Sequence, residues 1–536
     1  MLVTCALPYA NGSMHIGHLL EHIQADIWVR YKRMLGHEVW FICADDSHGT
    51  PILLKSRALH IQPKKLISEI FKQHIHDLEC FNISYNNYSS THHSINLYFL
   101  KKIYYTLKIN NLITLNTITQ LYDVQENIFL PDRFVKGTCP NCYTIDQYGD
   151  HCEACNAVYK TIDLINPIST ISNIAPVLRN SVHIFFNLTV LQNNLYRWMK
   201  TDVLNKHVVN KMKEWFNTDL KAWNISRDKP YFGFKIPDLK NKYFYVWMDA
   251  PIAYMSTFKT LCNNNRLLDF NEFWNINSTT ELYHFIGKDI VYFHVLFWPA
   301  MLESMQFRKP TQIFVHGHVK IHGIKMSKSK NELITVRKWL EYFDSDSLRY
   351  YYASKLSSKI EDFEFNVQDF IHKINADLVN KIVNLASRSA SFLNKYFDSM
   401  LSKKLENEQL YKKFISVSYK IKHLFENREF NLVIHEVIQL SEIANQYFNH
   451  QAPWKILIPK NNIKLQEICS MVINLFRIIM IYLKPIVPNL VHRSEKFLLT
   501  ILDWNSIHLP LLNHRISIFK TLYPRININN VDDLFK

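Results

Sequence analysis

The fold is decided near the start of the chain, by the stretch His15-Ile16-Gly17-His18 and the segments on either side of it. Before it, the apolar run at residues 2–7 predicts a buried strand, and after it apolar residues recur at helical spacing as far as Met34. A second apolar run at residues 39–44 predicts another strand. Strand, helix and strand in this order are typical of a βαβ unit, so we expect a parallel sheet and an α/β fold.

The two histidines fall on the first turn of the predicted helix, beyond the carboxyl end of the first strand. Parallel sheets bind their ligands at that edge. Backbone amides at a helix start attract anions, and two imidazoles add donors for phosphate oxygens. The stretch therefore suits a nucleotide phosphate site, although two histidines that merely begin a helix would look the same in a chain with 25 histidines.

A second stretch, Lys325-Met326-Ser327-Lys328-Ser329, follows another predicted strand at residues 313–316. Two ammonium groups with hydroxyls beside them suit a loop that closes over a triphosphate and neutralises the charge on leaving pyrophosphate. Read alone, the stretch would be ordinary solvated surface.

Together the two stretches match the two signatures of the class I aminoacyl-tRNA synthetases, and residues 6–12, 43–51 and 245–252 narrow the match. With these segments the chain resembles the bacterial methionyl-tRNA synthetases over almost its whole length. The resemblance implies ATP-dependent attachment of methionine to elongator and initiator tRNA through a methionyl-adenylate. The expected catalytic residues, which would also bind ATP with its Mg²⁺, are His15, His18, Lys325 and Lys328.

The same resemblance implies a methionine pocket and an adenosine site. Asp46 would hold the substrate ammonium, although by position alone it suits a helix cap or a surface acid. Gly287 and Asp289 lie where another strand ends, which suits close approach of adenosine and a hydrogen bond to its ribose. Aromatic edges suit a flexible thioether, but most aromatic residues are simply core. The expected methionine set is Leu7, Tyr9, Asp46, Trp247, Pro251, Tyr254, Phe293 and His294.

Four cysteines form two pairs, Cys139 with Cys142 and Cys152 with Cys155, at the spacing of a zinc knuckle. A redox pair is the alternative. With four thiolate ligands the single expected zinc has no open position and would be structural. By resemblance, the insertion that carries it helps to place the tRNA acceptor end.

The carboxyl-terminal part has the apolar spacing of a helix bundle. Asn384 and Arg388 share one helix face, and Trp454 follows Pro453 at a break between helices. An amide, a guanidinium and an indole can bind and stack unpaired bases, whereas a solvated helix face and a capping tryptophan are the simpler explanations. The resemblance implies that these three residues contact the anticodon.

The domain prediction divides the chain into five segments, and the sheet is expected to resume at residues 242–247 and 282–287. The segments are the first half of a Rossmann-like catalytic domain at 1–109, the zinc-binding insertion at 110–240, the second catalytic half at 241–320, a lysine-loop and stem-contact segment at 321–370, and the helical anticodon-binding domain at 371–536.

Composition bounds the cellular setting. The formal net charge of +15 suits an anionic partner such as RNA. No apolar run approaches the ~18 residues of a spanning helix, and the layout of a signal peptide is absent, so we expect a cytoplasmic protein with no membrane contact. Because many relatives carry a further dimerising module that is not apparent here, we expect a monomer.

Glycine is scarce, with only 10 in 536 residues. Positions with positive φ must then be filled by other residues, of which asparagine is the least costly. Asn156, Ala253 and Asn331 depart from the family pattern in this way.

Three alternatives stay open at this point. A synthetase for isoleucine or valine would carry a much longer editing insertion. A small-molecule nucleotidyltransferase would leave the helical region without a role. A non-catalytic RNA-binding protein descended from a synthetase would fail a pyrophosphate-exchange assay.

Overall fold

The computed structural model describes residues 1–149, 152–155, 157, 159–217, 220–321, 324–325 (backbone), 334–456 and 462–527. Its first part alternates strands and helices, as predicted. The elements are β1 (Leu2–Cys5), α1 (Ile16–Met34), β2 (Trp40–Asp45), α2 (Thr50–Ala58), α3 (Pro63–Cys80), β3 (Asn87–Ser90) and α4 (Ser94–Ile109).

A separate set of short strands and helices then interrupts this alternation. Its strands are β4 (Ile113–Asp123), β5 (Ile128–Phe129), β6 (Val135–Thr138), β7 (Gln147–Tyr148), β8 (Ile165–Ser169), β9 (Val177–Phe186), β10 (Trp223–Asn224), β11 (Ser226–Asp228) and β12 (Lys242–Phe244). Helices α5 (Gln192–Met199) and α6 (Lys206–Lys213) lie between β9 and β10. β10, β9, β4 and β5 form one antiparallel sheet, and β7, β6 and β8 form a smaller one around the cysteine pairs.

The α/β alternation resumes after β12. The elements are α7 (Val246–Asp249), α8 (Ala253–Asn264), α9 (Phe270–Trp274), β13 (Leu282–Gly287), a π-helix (Phe293–Phe297), α10 (Trp298–Ser304), β14 (Gln312–His316), β15 (Val319–Ile321) and β16 (Ile324–Lys325). Within the described chain, the main sheet has the order β14-β13-β1-β2-β3 and all its neighbours are parallel. Leu2 is in register with Leu282 on one side and with Trp40 on the other.

The rest of the described chain is almost entirely helical. Its elements are α11 (Val336–Tyr342), α12 (Ser345–Lys355), β17 (Phe363–Glu364), α13 (Val367–Lys373), a π-helix (Ile374–Val383), α14 (Asn384–Tyr396), α15 (Glu408–Ser416), α16 (Ser418–Glu426), α17 (Phe430–Gln451), α18 (Ile463–Leu483) and α19 (Pro488–Leu498). The predicted α/β sheet with an insertion and a helical carboxyl-terminal region is confirmed.

Helix α18 corrects the expectation that no apolar stretch of the sequence approaches the length of a membrane-spanning helix. It is long and apolar enough to cross a membrane, with a mean hydropathy of 1.5 over an 18-residue window. However, 94% of that window is buried inside the protein, which is the setting of a core helix in a soluble protein.

Two apolar cores cover the two faces of the parallel sheet. One joins α1 and the sheet to the helical bundle, and the other joins the opposite face to α4, α8, α10 and the base of the insertion. The wholly buried Arg349 ties the first interface together. Its guanidinium donates to Asp26 Oδ2 (2.7 Å) and to the carbonyl oxygens of Phe81, Pro485 and Ile486 (2.8–3.1 Å). Because a buried cation needs such partners, sheet and bundle are fixed to each other.

Two details of the sequence expectations are also settled here. Residues 242–247 do not belong to the parallel sheet, because β12 pairs antiparallel with β11 and the chain enters helix α7 at Val246.

Of the sixteen non-glycine residues with positive φ in the described chain, seven are asparagines, which supports the expected replacement of glycine. Ala253 is not one of these positions because it begins helix α8, and Asn156 and Asn331 lie outside the described residues.

Candidate functional site

The carboxyl ends of β1, β2 and β13 bring the expected phosphate and adenosine residues to one edge of the sheet. Helix α1 begins at Ile16, with His15 as its cap. The rings of His15 and His18 are stacked with centroids 3.6 Å apart, and the His15 amide donates to Nδ1 of His18 (3.3 Å). Both imidazoles therefore stand at a helix N-terminus, where the backbone already favours negative charge.

Gly287 ends β13 at the same edge. A Cβ atom at this position would lie only 2.8 Å from Oδ1 of Asp289, so a side chain here would collide with that carboxylate. The Asp289 side chain is 54% exposed and its Oδ1 lies 3.7 Å from Nε2 of His318. The buried backbone of Gly287 and a half-exposed carboxylate therefore lie side by side, a combination that suits a ribose hydroxyl.

A cavity of about 450 Å³ opens beside this edge. Its walls come from the loop after β1, the start of α2, helix α7 and the π-helix after β13. Seven of the eight residues expected to bind methionine line it, namely Leu7, Tyr9, Asp46, Trp247, Pro251, Tyr254 and His294.

Phe293 does not line the cavity but supports one of its walls. Its ring is stacked on that of Trp247, with centroids 3.6 Å apart and planes at 4°. The indole is thereby held flat, so Phe293 acts on the cavity through Trp247.

Two acidic residues line the cavity, the exposed Asp132 and Asp46. Within the described part of the chain, Oδ1 of Asp46 is buried and has no hydrogen-bond partner. Burial, and after it the negative charge of Asp249, raise the pKa of Asp46 well above its usual range. A buried carboxylate oxygen that lacks a donor is suited to receive a cationic ligand.

His294 and Tyr254 form a polar pair at the apolar end. The Tyr254 hydroxyl lies 2.8 Å from Nε2 of His294, and Nδ1 of His294 lies 3.0 Å from the carbonyl oxygen of Ile290. Because a carbonyl can only accept, Nδ1 carries the proton and Nε2 accepts from the tyrosine. Burial lowers the pKa of His294 to about 4, so the ring is neutral at physiological pH.

The sequence missed the wall that the insertion contributes. It comprises Pro131, Asp132, Arg133, Arg227 and Tyr231. Tyr245, which follows the insertion in the sequence, also lines the cavity. The Arg227 guanidinium lies over the ring of Tyr245 at 3.7 Å, and the Val246 amide donates to the Tyr231 hydroxyl (2.9 Å). These contacts depend on how the insertion packs against α7, which no local pattern reveals.

The four cysteines meet in the small sheet of the insertion, with all four Sγ atoms within 4.8 Å of one another. Cys139 Sγ lies 3.8 Å from Cys155 Sγ, and Cys142 Sγ lies 3.5 Å from Cys152 Sγ. Four sulfurs each about 2.3 Å from one tetrahedral ion would lie close to these separations. The donor set therefore fits a metal ion.

The bundle residues are partly brought together. The Arg388 guanidinium lies 5.2 Å from the ring of Trp454 and donates to Asn449 Oδ1 (3.1 Å). Trp454 is 50% exposed, and Asn384 begins the helix that carries Arg388.

Of the lysine stretch, Lys325 lies in β16, whose backbone pairs with β15. Lys328 lies outside the described residues.

Comparison with known proteins identifies the class and then the family. A family model described as tRNA synthetases class I (M) matches residues 1–390, so the chain is a class I tRNA synthetase. Methionine–tRNA ligases of Buchnera aphidicola are similar over nearly the full length. That of the subspecies from Acyrthosiphon pisum (strain Tuc7) is 58% identical over 532 residues, covering 99% of this chain and 97% of the relative. That from Baizongia pistaciae is 58% identical over 527 residues, covering 98% and 97%.

The chain therefore belongs to the methionyl-tRNA synthetase family and is a ligase of the aminoacyl-tRNA synthetase type. Membership excludes the isoleucine or valine synthetase and the small-molecule nucleotidyltransferase.

Solved structures agree on the fold. The Mycobacterium tuberculosis methionyl-tRNA synthetase bound by methionyl-adenylate matches with a TM-score of 0.79 at 21% identity, covering 98% of this chain and 99% of that one. The apo form of the same synthetase matches with a TM-score of 0.73 at 20% identity, covering 98% of each chain.

Proposed function

We propose that this chain attaches methionine to elongator and initiator methionine tRNA through a methionyl-adenylate, and that the cavity of about 450 Å³ holds the amino acid. The observation that carries the assignment of the cavity is the pairing of a buried, unpartnered carboxylate oxygen on Asp46 with the apolar and aromatic side chains of Leu7, Trp247 and Pro251. An α-ammonium satisfies the first and a thioether side chain suits the second.

In the first step, the methionine carboxylate attacks the α-phosphorus of ATP. The bond from that phosphorus to the bridging oxygen breaks, and pyrophosphate leaves with Mg²⁺ that entered as part of the nucleotide. His15 and His18 stabilise the charge on the phosphates, Lys325 and Lys328 neutralise the leaving group, and Gly287 and Asp289 hold the adenosine. No protein nucleophile is needed, so rate enhancement comes from positioning and electrostatics.

In the second step, a ribose hydroxyl at the tRNA 3′ end, by class resemblance the 2′ hydroxyl, attacks the acyl carbon of the adenylate. AMP leaves, and the hydroxyl proton departs with the phosphate or with water. Asn384, Arg388 and Trp454 bind the anticodon. The half-exposed indole and the guanidinium stacked near it support this role, because both groups can stack on unpaired bases.

Cys139, Cys142, Cys152 and Cys155 would hold one zinc ion. Bound zinc supplies a rigid four-way link in the insertion and no chemistry in the reaction, since four thiolates fill its coordination. Backbone amides already point at the thiolate positions: the Asn141 amide donates to Cys139 Sγ (3.4 Å) and the Cys155 amide donates to Cys152 Sγ (3.4 Å).

The functional division proposed is catalytic halves at 1–109 and 241–320, a zinc-binding insertion at 110–240, a lysine-loop and stem-contact segment at 321–370, and an anticodon-binding domain at 371–536. We also propose that the protein is cytoplasmic and monomeric. Sedimentation at micromolar concentration tests the monomeric state.

Charging of tRNA tests the proposal as a whole. With ATP, Mg²⁺ and labelled methionine, the protein should transfer label to both methionine tRNAs and not to a methionine tRNA with a replaced anticodon. Failure to charge either tRNA, by protein that is folded, would overturn the proposed function.

A further inference from the structure

Three walls of the methionine cavity meet at one histidine that does not itself line it. His48 is wholly buried, two residues beyond Asp46. Its backbone carbonyl accepts a hydrogen bond from the Tyr9 hydroxyl (2.7 Å). Its ring contacts Oδ2 of Asp249 through Nδ1, and its Nε2 lies 2.8 Å from Nδ1 of His92.

The contact with Asp249 reaches the aromatic wall. Asp249 is the last residue of α7, the short helix that carries Trp247, and Pro251 follows two residues later. The carboxylate is wholly buried, so it needs a donor to be stable. The Nδ1–H of His48 is that donor, and it fixes the orientation of α7 relative to the segment that carries Asp46.

The ring of His92 closes the opposite side. It is stacked on Phe234 with centroids 5.4 Å apart and planes at 9°, and it also packs on Phe232. Burial, and then the neighbouring His48, lower the pKa of His92 to about 4, so this ring is neutral. It can therefore hold Nε2 of His48 through a single shared proton without adding charge.

The backbone of the same segment holds Tyr9 closely. The Ala10 amide donates to the Asp46 carbonyl (2.8 Å), and a Cβ atom at Gly49 would come within 2.5 Å of the Tyr9 hydroxyl. Gly49 also has a φ of +118°, which favours glycine. The segment from Asp46 to Gly49 is thus shaped to seat Tyr9, with His48 anchored at its centre.

We propose that His48 is a positioning residue for amino-acid binding, because its bond to Asp249 sets helix α7, and with it Trp247, against Asp46. This inference rests on the proposed function, since it takes the cavity to be the methionine site. Replacing His48 should change methionine affinity. In the described structure its ring contacts neither the histidine pair proposed to bind the phosphates nor the residues proposed to bind adenosine.

The test is methionine-dependent pyrophosphate exchange with a graded set of variants. His48→Ala leaves the buried Asp249 carboxylate without its donor, so methionine KM should rise about five- to 150-fold while kcat and the KM for ATP change little. His48→Asn places an amide N–H where Nδ1 lies and should retain most of the affinity. His48→Gln preserves the Nε2 position instead and should retain less.

A double variant separates positioning from simple loss of packing. Replacing Asp249 by the neutral amide in the His48→Ala background, as Asp249→Asn, removes the unpaired charge and should recover part of the methionine KM. His22, another buried histidine in the same domain that is bonded to Tyr85, serves as the control. His22→Ala should lower the melting temperature and leave methionine KM unchanged.

Each outcome decides the matter. If the wild-type protein does not activate methionine, the proposed function fails; if it does, the variants test His48 alone. Equal loss of kcat and of both KM values in His48→Ala, or no gain on adding Asp249→Asn, would overturn the positioning role. If His48→Ala does not fold, the ranking of His48→Asn above His48→Gln decides, and a reversed or equal ranking refutes the proposal.

Discussion

The backbone of Thr335, six residues beyond the lysine stretch, pairs with that of His15 in the histidine stretch. The Ile16 amide donates to the carbonyl of Ile334 (3.0 Å), and the Val336 amide donates to the carbonyl of Met14 (3.1 Å). The chain that leaves the lysine stretch is therefore fixed to the start of the helix that carries the histidine pair.

The first prediction concerns Lys328 in the lysine stretch. Lys328→Ala should slow adenylate formation while leaving methionine KM nearly unchanged, because the ammonium acts as charge develops on pyrophosphate. Single-turnover formation of the adenylate measures the rate. Lys412→Ala, on the exposed surface of the bundle, is the matched lysine control. Equal losses in methionine affinity and in rate would contradict the assigned role.

Asp46 should give methionine binding a dependence on pH. Burial raises the pKa of this carboxyl, and only its ionised form attracts the substrate ammonium. As pH falls through the raised pKa, methionine KM should increase; above it, KM should be level. Asp46→Asn should raise KM and abolish the acid limb, whereas Asp238→Asn, a partly exposed acid paired with Lys108, should keep the limb. An unchanged KM in Asp46→Asn would remove Asp46 from the site.

Metal-replete protein should contain one zinc per chain by elemental analysis. Cys152→Ser removes one of the two buried sulfurs of the cluster, so it should reduce zinc content and lower the melting temperature. Cys80→Ser, at a partly exposed cysteine outside the cluster, should change neither. Fully active protein without zinc would refute the site.

Trp454 should matter for tRNA and not for amino-acid activation. Its indole packs against Phe448 at 5.9 Å and is still 50% exposed, so part of its surface remains available for a base. Since stacking of a base on an aromatic ring is worth roughly 1–3 kcal/mol, Trp454→Ala should reduce kcat/KM for tRNA about five- to 150-fold. Pyrophosphate exchange should stay near the wild-type rate.

A control and a melting curve complete the Trp454 test. Tyr419→Ala removes a more exposed aromatic ring from another helix of the bundle and should leave charging unchanged. If the indole instead caps the bundle, Trp454→Ala would lower the melting temperature and depress both reactions together.

Much of the site was predictable because its residues follow the ends of parallel strands. Asp46 follows β2 and Gly287 ends β13, and such ends meet at one edge of the sheet. The spacing of the four cysteines predicted their cluster, because a metal ion requires a fixed set of donors.

The remaining features depend on tertiary packing. Arg227 and Tyr231 reach the cavity only because the insertion folds back over α7. Residues 242–247 look like a buried strand because the five consecutive apolar and aromatic residues after Lys242 give no helical period, yet the chain turns into α7 at Val246. His48 reads as a loop residue, and its role depends on partners 44 and 201 residues away.

Methionine-dependent exchange of pyrophosphate into ATP, run in parallel with other amino acids and without tRNA, tests the central claim most directly. We expect exchange with methionine, much weaker exchange with leucine, isoleucine or valine, and none without an amino acid. Exchange that is absent, or that is faster with an amino acid other than methionine, would contradict it.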